Sequence, residues 1–319
     1  MAKKNKKNKL REGLLSVVVP SCNEVKNIKK AVGVISEILI EREIKYEIIF
    51  VDDGSSDGTW EAVLEESIKN ANIRGISFSR NFGKESAIIA GLTEAKGDCA
   101  VVIDCDLQHP PEKIVEMYQK WQEGYDIVEG IKESRGKEGV IHKFGASLFY
   151  RIMSNAIKID MRNTSDFKLL DKEAVRTLIN MPEKNAFFRA LSSWIGYETI
   201  TIKYTVKERT EGESKWSFIK LVKYALSNIT SFTTMPMQII TFLGIVILVV
   251  ALVLTVIAVH DYVTGIALGG FTTVIILICF TSSVIMISLG IIGYYLSRIF
   301  EQVQDRPKYI ISKKTRGEG

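Results

Sequence analysis

Cysteine and histidine are too few and too scattered in this chain to build a metal cage or a disulfide framework. Cys22, Cys99, Cys105 and Cys279 show no Cys-x-x-Cys pairing, and only three histidines accompany them. Reduced thiols fit a cytoplasmic domain. No Gly-x-Gly-x-x-Gly follows the first apolar run and no Gly-Lys-Ser/Thr loop occurs, which argues against dinucleotide enzymes and P-loop ATPases. The lysine run at the start has no apolar core after it, so it is not a signal peptide. It reads as a basic disordered tail over residues 1–12. No aromatic-interleaved basic motif accompanies the net charge of +5, so nucleic acid is not the expected partner and an anionic membrane surface is.

Charge itself is missing from two long stretches, residues 224–259 and 262–297. Each exceeds the roughly 20 apolar residues needed to cross a bilayer, and the expected spans are about 236–259 and 271–296 within a two-helix region, 232–297. The connection between them carries no Lys or Arg. Basic residues crowd the outer flanks instead, at Lys203, Lys207, Arg209, Lys215, Lys220 and Lys223 before the first span and at Arg298, Arg306, Lys308, Lys313, Lys314 and Arg316 after the second. The positive-inside rule places both termini and the large domain in the cytoplasm, on an inner or plasma membrane. Ahead of the first span, residues 213–231 carry an apolar stripe (Phe218, Leu221, Val222, Ala225, Leu226, Ile229) opposite Lys220 and Lys223. That pattern predicts an amphipathic interfacial helix. A cytoplasmic tail, 298–319, closes the chain.

Over residues 13–130 strand and helix patterns alternate. Strands are expected at 14–19 (stopped at Pro20), 46–51, 73–78, 98–103 and 126–129, with helices at 24–40, 57–70, 84–95 and 112–122. Beyond 130 a loop over 132–143 and a helix over 146–157 are expected. A strand at 167–170, helices at 173–179 and 186–194, and a strand at 199–206 follow. Alternation of this kind means βαβ crossovers, an α/β class and a mostly parallel, Rossmann-like sheet.

In a parallel sheet the carboxyl ends of the strands share one edge, where ligands bind. Here those ends carry Asn23-Glu24, Asp52-Asp53-Gly54, Arg80 to Lys84, and Asp104-Cys105-Asp106. Two carboxylates at i and i+2 suit a hard cation such as Mg²⁺ or Mn²⁺, which takes one or two carboxylates plus substrate phosphates. Carboxylates gathered with Arg80 and Lys84 suit a metal-chelated diphosphate, since a bare phosphate would be repelled.

Six motifs carry a resemblance. They are Val-Pro-x-x-Asn-Glu at 19–24, Val-Asp-Asp-Gly-Ser-x-Asp-Gly-Thr at 51–59 and Arg-Asn-Phe-Gly-Lys at 80–84. The others are Asp-x-Asp-Leu-Gln-His-Pro-Pro-Glu at 104–112, Ser-Asp-Phe-Lys-Leu-Leu at 165–170 and Arg-x-x-Gly-x-Ser-Lys-Trp at 209–216. With these the chain resembles the family 2 glycosyltransferases of GT-A fold, and among them the polyprenyl-phosphate glycosyltransferases. The tail Ser-Arg-Ile-Phe-Glu-Gln-Val-x-x-Arg-Pro-x-Tyr-Ile at 297–310 fits the bacterial two-span branch as well, so the resemblance runs from about residue 14 to 311, with a GT-A domain over 13–212. It implies a metal-dependent, inverting transfer of one hexose from a nucleotide sugar, UDP-glucose foremost, to undecaprenyl phosphate. UDP-GlcNAc or GDP-mannose is the alternative donor, and a catalytically silent nucleotide-binding scaffold the alternative from another class.

The resemblance also implies the roles of individual residues. Pro20, Asn23, Glu24, Asp52, Asp53, Lys84 and Asp104 would bind the nucleotide. Asp104, Asp106 and Gln108 would bind the metal and diphosphate. Asp166, Arg209 and Asp106 would be catalytic, with Asp166 the base or the carboxylate that positions the sugar. Lys132, Arg135, Lys143, Ser214 and Lys215 would meet the acceptor phosphate. Tyrosine is common in the family where this chain has Cys22. A homo-oligomer, a tetramer foremost, is implied as well. Small residues in the spans (Gly244, Gly290 and Gly293 among them) fit close helix packing in lipid.

Overall fold

The computed structural model describes residues 10–132, 165–183, 187–205, 235–265 and 270–315. The chain divides into two compact units, Met1–Trp216 with Pro307–Gly319, and Ser217–Arg306.

The first unit is built on one sheet. Its strands are β1 (Leu15–Ser21), β2 (Tyr46–Asp52), β3 (Ile73–Phe78), β4 (Cys99–Val102), β5 (Ile127–Lys132), β6 (Lys168–Asp171), β7 (Thr199–Tyr204) and β8 (Ile311–Lys314), in the spatial order β7-β5-β6-β4-β1-β2-β3-β8. Helices α1 (Val25–Glu41), α2 (Thr59–Lys69), α3 (Lys84–Glu94) and α4 (Lys113–Gln122) are the crossovers, followed by α5 (Lys172–Ile179) and α6 (Phe188–Trp194). Every residue of β1 and β2 is buried. Continuous burial without alternation is what a parallel strand covered on both faces requires. On α1 the buried residues Ile28, Ala31, Val32, Ile35 and Leu39 recur at helical spacing and close one face of the sheet.

The pairs β1–β2, β2–β3, β1–β4 and β5–β7 are parallel, whereas β6 runs antiparallel between β4 and β5. This is the mostly parallel, GT-A-like α/β sheet expected from the sequence. Register fixes the site edge. Ser21 lies beside Asp52, and Asp52 beside Ser77. On the other flank the β4–β6 ladder ends at Val102 opposite Lys168. Two residues beyond that pair, in opposite chain directions, stand Asp104 and Asp166.

Two features differ from the sequence expectation. Pro20 does not stop β1, which runs on to Ser21. The β1–β4 ladder has already ended at Val18 opposite Val102, so the missing proline N–H leaves no ladder bond broken on that side. The second is β8, which lies in the stretch expected to be a plain tail. It pairs antiparallel with β3, with Thr315 N–H donating to Gly75 O at 2.9 Å and Ser79 N–H to Ile310 O at 3.0 Å. Tyr309 stacks on Phe78 at 5.1 Å. The strand covers an edge that would otherwise stand open.

The second unit contains helices α7 (Met235–Val263) and α8 (Phe271–Val303). Among the described residues one segment, Phe280–Val303, is long and apolar enough to cross a bilayer, and the apolar stretch Ile240–Leu254 of α7 is shorter. The expected loop at 132–143 beyond Lys132, the helix at 146–157 and the amphipathic helix at 213–231 lie outside the described residues.

Candidate active site

The loops that follow β1 and β2 are tied together by their own polar groups. Asn23, at φ 56, donates its N–H to Ser55 Oγ at 2.8 Å and accepts from Ser56 N–H at 3.0 Å. Glu24 N–H donates to Thr59 Oγ1 at 2.9 Å. Asp57 accepts from Thr59 N–H and from Val25 N–H, serving the first turns of both α2 and α1. Asp52 accepts from Ser77 Oγ at 2.7 Å and Ser55 N–H at 3.1 Å. Pro20 sits buried at the end of β1. The structure therefore brings Pro20, Asn23, Glu24, Asp52 and Asp53 together at one sheet edge.

Asp53 reaches the third strand end. Its carboxylate accepts from Phe82 N–H at 2.6 Å and from Gly83 N–H at 2.9 Å, folding residues 80–83 over β2. Burial pushes its carboxyl up, and the two N–H donors partly offset that. Gly54, at φ +65, allows the approach: a Cβ there would lie 2.4 Å from the Arg80 carbonyl carbon. Cys22 is exposed beside this loop, with Asn81 Nδ2 donating to its Sγ at 3.3 Å.

At the centre lies a line of alternating charges. Lys84, the first residue of α3, places Nζ 2.6 Å from Asp104 Oδ1 and 2.9 Å from Asp166 Oδ2. Arg189, on α6, grips Asp166 from the other side, Nε to Oδ1 at 2.7 Å and Nη2 to Oδ2 at 2.9 Å. Burial pushes the Asp166 carboxyl up, but Lys84 and Arg189 outweigh it and hold it well below the usual carboxylate range. A carboxylate held that way is a poor proton acceptor. The geometry favours the positioning role over the base role.

Arg189 was not legible as a site residue, although its sequence context held a signal. It is the one charged residue in the run Phe187-Phe188-Arg189-Ala190-Leu191, and a charge on a buried helix face calls for a partner. Two further residues steer it. Glu85 accepts from Phe188 N–H at 2.8 Å, at the start of α6. Its carboxyl is pushed up to about 7, chiefly by burial and next by Asp166. Lys168, fully buried, pairs with Glu129 at 3.1 Å and donates to Ser192 Oγ at 2.9 Å, pinning α6 to β6. Burial pushes the Lys168 ammonium down despite Glu129.

Asp106 accepts from Gln108 N–H at 3.1 Å across a tight turn in which Leu107 takes φ 55. A leucine in the left-handed region is strained, and such strain persists where surroundings over-determine it. His109 stacks on Phe167 at 5.1 Å. Its buried Nδ1, which has no hydrogen-bond partner among the described residues, lies 3.9 Å from Asp104 Oδ2. Burial holds the ring below its ordinary pKa. Among the described residues no three His, Cys, Asp or Glu side chains converge as a metal cage. The donor set still fits Mg²⁺ or Mn²⁺: Asp104 and Asp106 are two hard carboxylates just beyond one strand end, and such cations take one or two carboxylates plus substrate phosphates. Lys132 ends β5, opposite Tyr204 of β7. Arg135, Lys143, Arg209, Ser214 and Lys215 lie outside the described residues.

Comparison with known proteins adds the following. Residues 16–178 match the family model described as Glycosyl transferase family 2. An uncharacterized glycosyltransferase of Synechocystis is 37% identical over 300 residues, covering 93% of this chain and 94% of that protein. An SfII prophage-derived bactoprenol glucosyl transferase of Shigella flexneri is 35% identical over 306 residues, covering 95% and 99%. A prophage bactoprenol glucosyl transferase homolog of Escherichia coli is 35% identical over 303 residues, covering 94% and 98%. Among solved structures, glucosyl-3-phosphoglycerate synthase from Mycobacterium tuberculosis aligns with a TM-score of 0.48 at 20% identity, covering 69% of this chain and 81% of that one.

Proposed function

The chain belongs to glycosyl transferase family 2, and we propose that it transfers one hexose, with inversion, from UDP-glucose to a polyprenyl phosphate of the undecaprenyl type. The observation that carries this is the Asp104–Lys84–Asp166–Arg189 line beside Asp106 at the carboxyl edge of the sheet. Bactoprenol glucosyl transferases 35% identical over nearly their whole length support the lipid acceptor.

In this reading Asp104 and Asp106, with Gln108, would hold Mg²⁺ or Mn²⁺. The metal, when bound, supplies charge stabilisation to the departing nucleoside diphosphate. Glu24, Asp52 and Asp53 face the nucleoside, and Asp166 orients the sugar. An acceptor phosphate oxygen attacks the anomeric carbon, the bond to the β-phosphate oxygen breaks, and UDP leaves with the electron pair. The acceptor is already ionised, its second pKa being near ~6, so the step needs no protein base. Arg209, Ser214 and Lys215 close on the diphosphate and the acceptor phosphate. Lys132, Arg135 and Lys143 meet the acceptor phosphate.

The proposal sets the reaction at a membrane. Both α7 and α8 present large apolar side chains such as Phe242, Leu248, Ile285 and Leu296 uncovered, a surface that suits lipid. Two spans, a cytoplasmic catalytic domain and a homo-oligomer, with a tetramer foremost, complete the proposal.

The test supplies polyprenyl phosphate and one labelled sugar nucleotide at a time to membranes containing the chain. Label from UDP-glucose should enter the lipid fraction. Label from UDP-GlcNAc or GDP-mannose alone would move the donor assignment, and no lipid label from any donor would overturn the activity.

A further inference from the structure

A single ammonium is shared by two acids at this site, and the two depend on it unequally. Asp166 has Arg189 as a second cation, bonded through both oxygens. Asp104 has Lys84 on Oδ1 at 2.6 Å. Its other oxygen lies 3.9 Å from His109 Nδ1, beyond hydrogen-bond distance. A carboxylate oxygen in contact with an ammonium is a poor ligand for a second cation, because the two positive charges repel at close range. Lys84 is nevertheless in reach of solvent. Its side chain is 42% exposed, against 5% for Asp166. An ammonium on a flexible stem is a point charge that exchanges one anionic oxygen for another without loss of fork geometry.

We propose that Lys84 is a positioning residue that couples metal binding to diphosphate binding. With no diphosphate present its ammonium holds Asp104 and keeps a divalent cation weakly bound. An arriving diphosphate draws the ammonium onto its own oxygens and frees Asp104 for the metal. Metal and sugar nucleotide thus enter together, and the empty site does not collect metal alone. The inference rests on the reading of Asp104 and Asp106 as metal-binding carboxylates.

The experiment is a titration of the full-length, detergent-solubilised protein with Mn²⁺, followed by the electron paramagnetic resonance signal of free Mn²⁺, with and without UDP. No sugar transfer is read, so the outcome does not depend on the donor sugar or the lipid. Lys84→Met should bind Mn²⁺ at least tenfold more tightly than wild type without UDP, and should lose most of the gain that UDP gives. Lys84→Arg, which keeps the charge, should retain the wild-type pattern and shows that the site has folded. Mn²⁺ binding by Lys84→Met no tighter than wild type without UDP would overturn the coupling. If Asp104→Asn binds Mn²⁺ as wild type does, the metal reading of Asp104 falls, and the coupling with it.

Discussion

Arg189 holds Asp166 by two parallel hydrogen bonds, Nε to Oδ1 at 2.7 Å and Nη2 to Oδ2 at 2.9 Å. A bidentate guanidinium fixes the plane of a carboxylate as well as its charge. Asp166 should therefore act by orientation. Asp166→Asn is expected to keep measurable turnover with a pH profile of unchanged shape. Arg189→Ala should lower kcat by about 10- to 100-fold, the scale of a misplaced positioning group, and Arg189→Lys should recover only part, since an ammonium lacks the fork. Steady-state kinetics across pH decides it: an Asp166→Asn enzyme dead at every pH would restore the base.

Glu85 gives the fold a pH dependence of identifiable sign. Its carboxyl ionises at about 7 in the folded protein against an ordinary 4.5. Between those values the folded state binds more protons than the unfolded one, so stability falls as pH rises from 4.5 to 7 and is level above. Glu85→Gln, whose amide oxygen still accepts from Phe188 N–H, should remove that slope. It should be more stable than wild type at pH 8 by on the order of 1–3 kcal/mol. Asp166 titrates in a separate window: its depressed carboxyl contributes stability above the ordinary carboxylate range and loses it only at more acidic pH. Thermal midpoints of both proteins from pH 5 to 8 check this, and parallel slopes would refute it.

The strands and crossovers of the first 130 residues were legible because parallel strands leave a plain trace: short apolar runs ending in polar clusters. Ile73–Phe78 was read to the residue, and Asp104 and Asp166 were singled out by motif. What the sequence could not supply was contact across the chain. Arg189 meets Asp166 over 23 positions, and Lys84 meets it over 82. No local period encodes such distances. β8 was missed for a related reason. Ile311, Ser312, Lys313 and Lys314 have too little apolar character to look like a strand. They form one because β3 offers an open edge.

Removal of divalent metal should abolish turnover, and Mg²⁺ or Mn²⁺ should restore it. Asp104→Ala and Asp106→Ala should each lose activity by about 100- to 1,000-fold, the scale of losing electrostatic stabilisation of the departing charge. Their thermal midpoints should stay near wild type, because both side chains lie at the partly exposed edge of the sheet. Full activity in excess chelator would sink the metal assignment.

Gly54 and Gly33 make a matched pair of tests. At Gly54 the backbone is left-handed, φ +65, and a Cβ would sit 2.4 Å from Arg80 C and 2.7 Å from Asn81 N. Alanine there meets a conformational cost of about 1–2 kcal/mol and pushes the loop that Asp53 holds ahead of Lys84. Gly54→Ala should lower both the thermal midpoint and UDP affinity. Gly33 lies inside α1, with nothing within 4 Å of its Cβ position. Gly33→Ala should be neutral or stabilising by about 0.5–1 kcal/mol. Equal effects at the two sites would contradict the close approach at residue 80.

Lys168 and Glu129 separate stability from catalysis. They face each other across β5 and β6 at 3.1 Å, both buried. Removing one charge of such a pair leaves the other uncompensated at a cost of about 3–5 kcal/mol, whereas replacing both with apolar groups is often neutral. Lys168→Met should therefore be strongly destabilised, and Lys168→Met/Glu129→Leu should recover most of the loss. Turnover should behave differently. The Lys168 ammonium also donates to Ser192 Oγ at 2.9 Å and Ser193 Oγ at 3.2 Å, which sit one helical turn from Arg189 on α6. The double variant lacks that anchor, so α6 can shift and the Arg189 grip on Asp166 should loosen. The expected result is a thermal midpoint near wild type with kcat still depressed about tenfold. Recovery of both quantities together would show that Lys168 serves the fold alone and does not position the site.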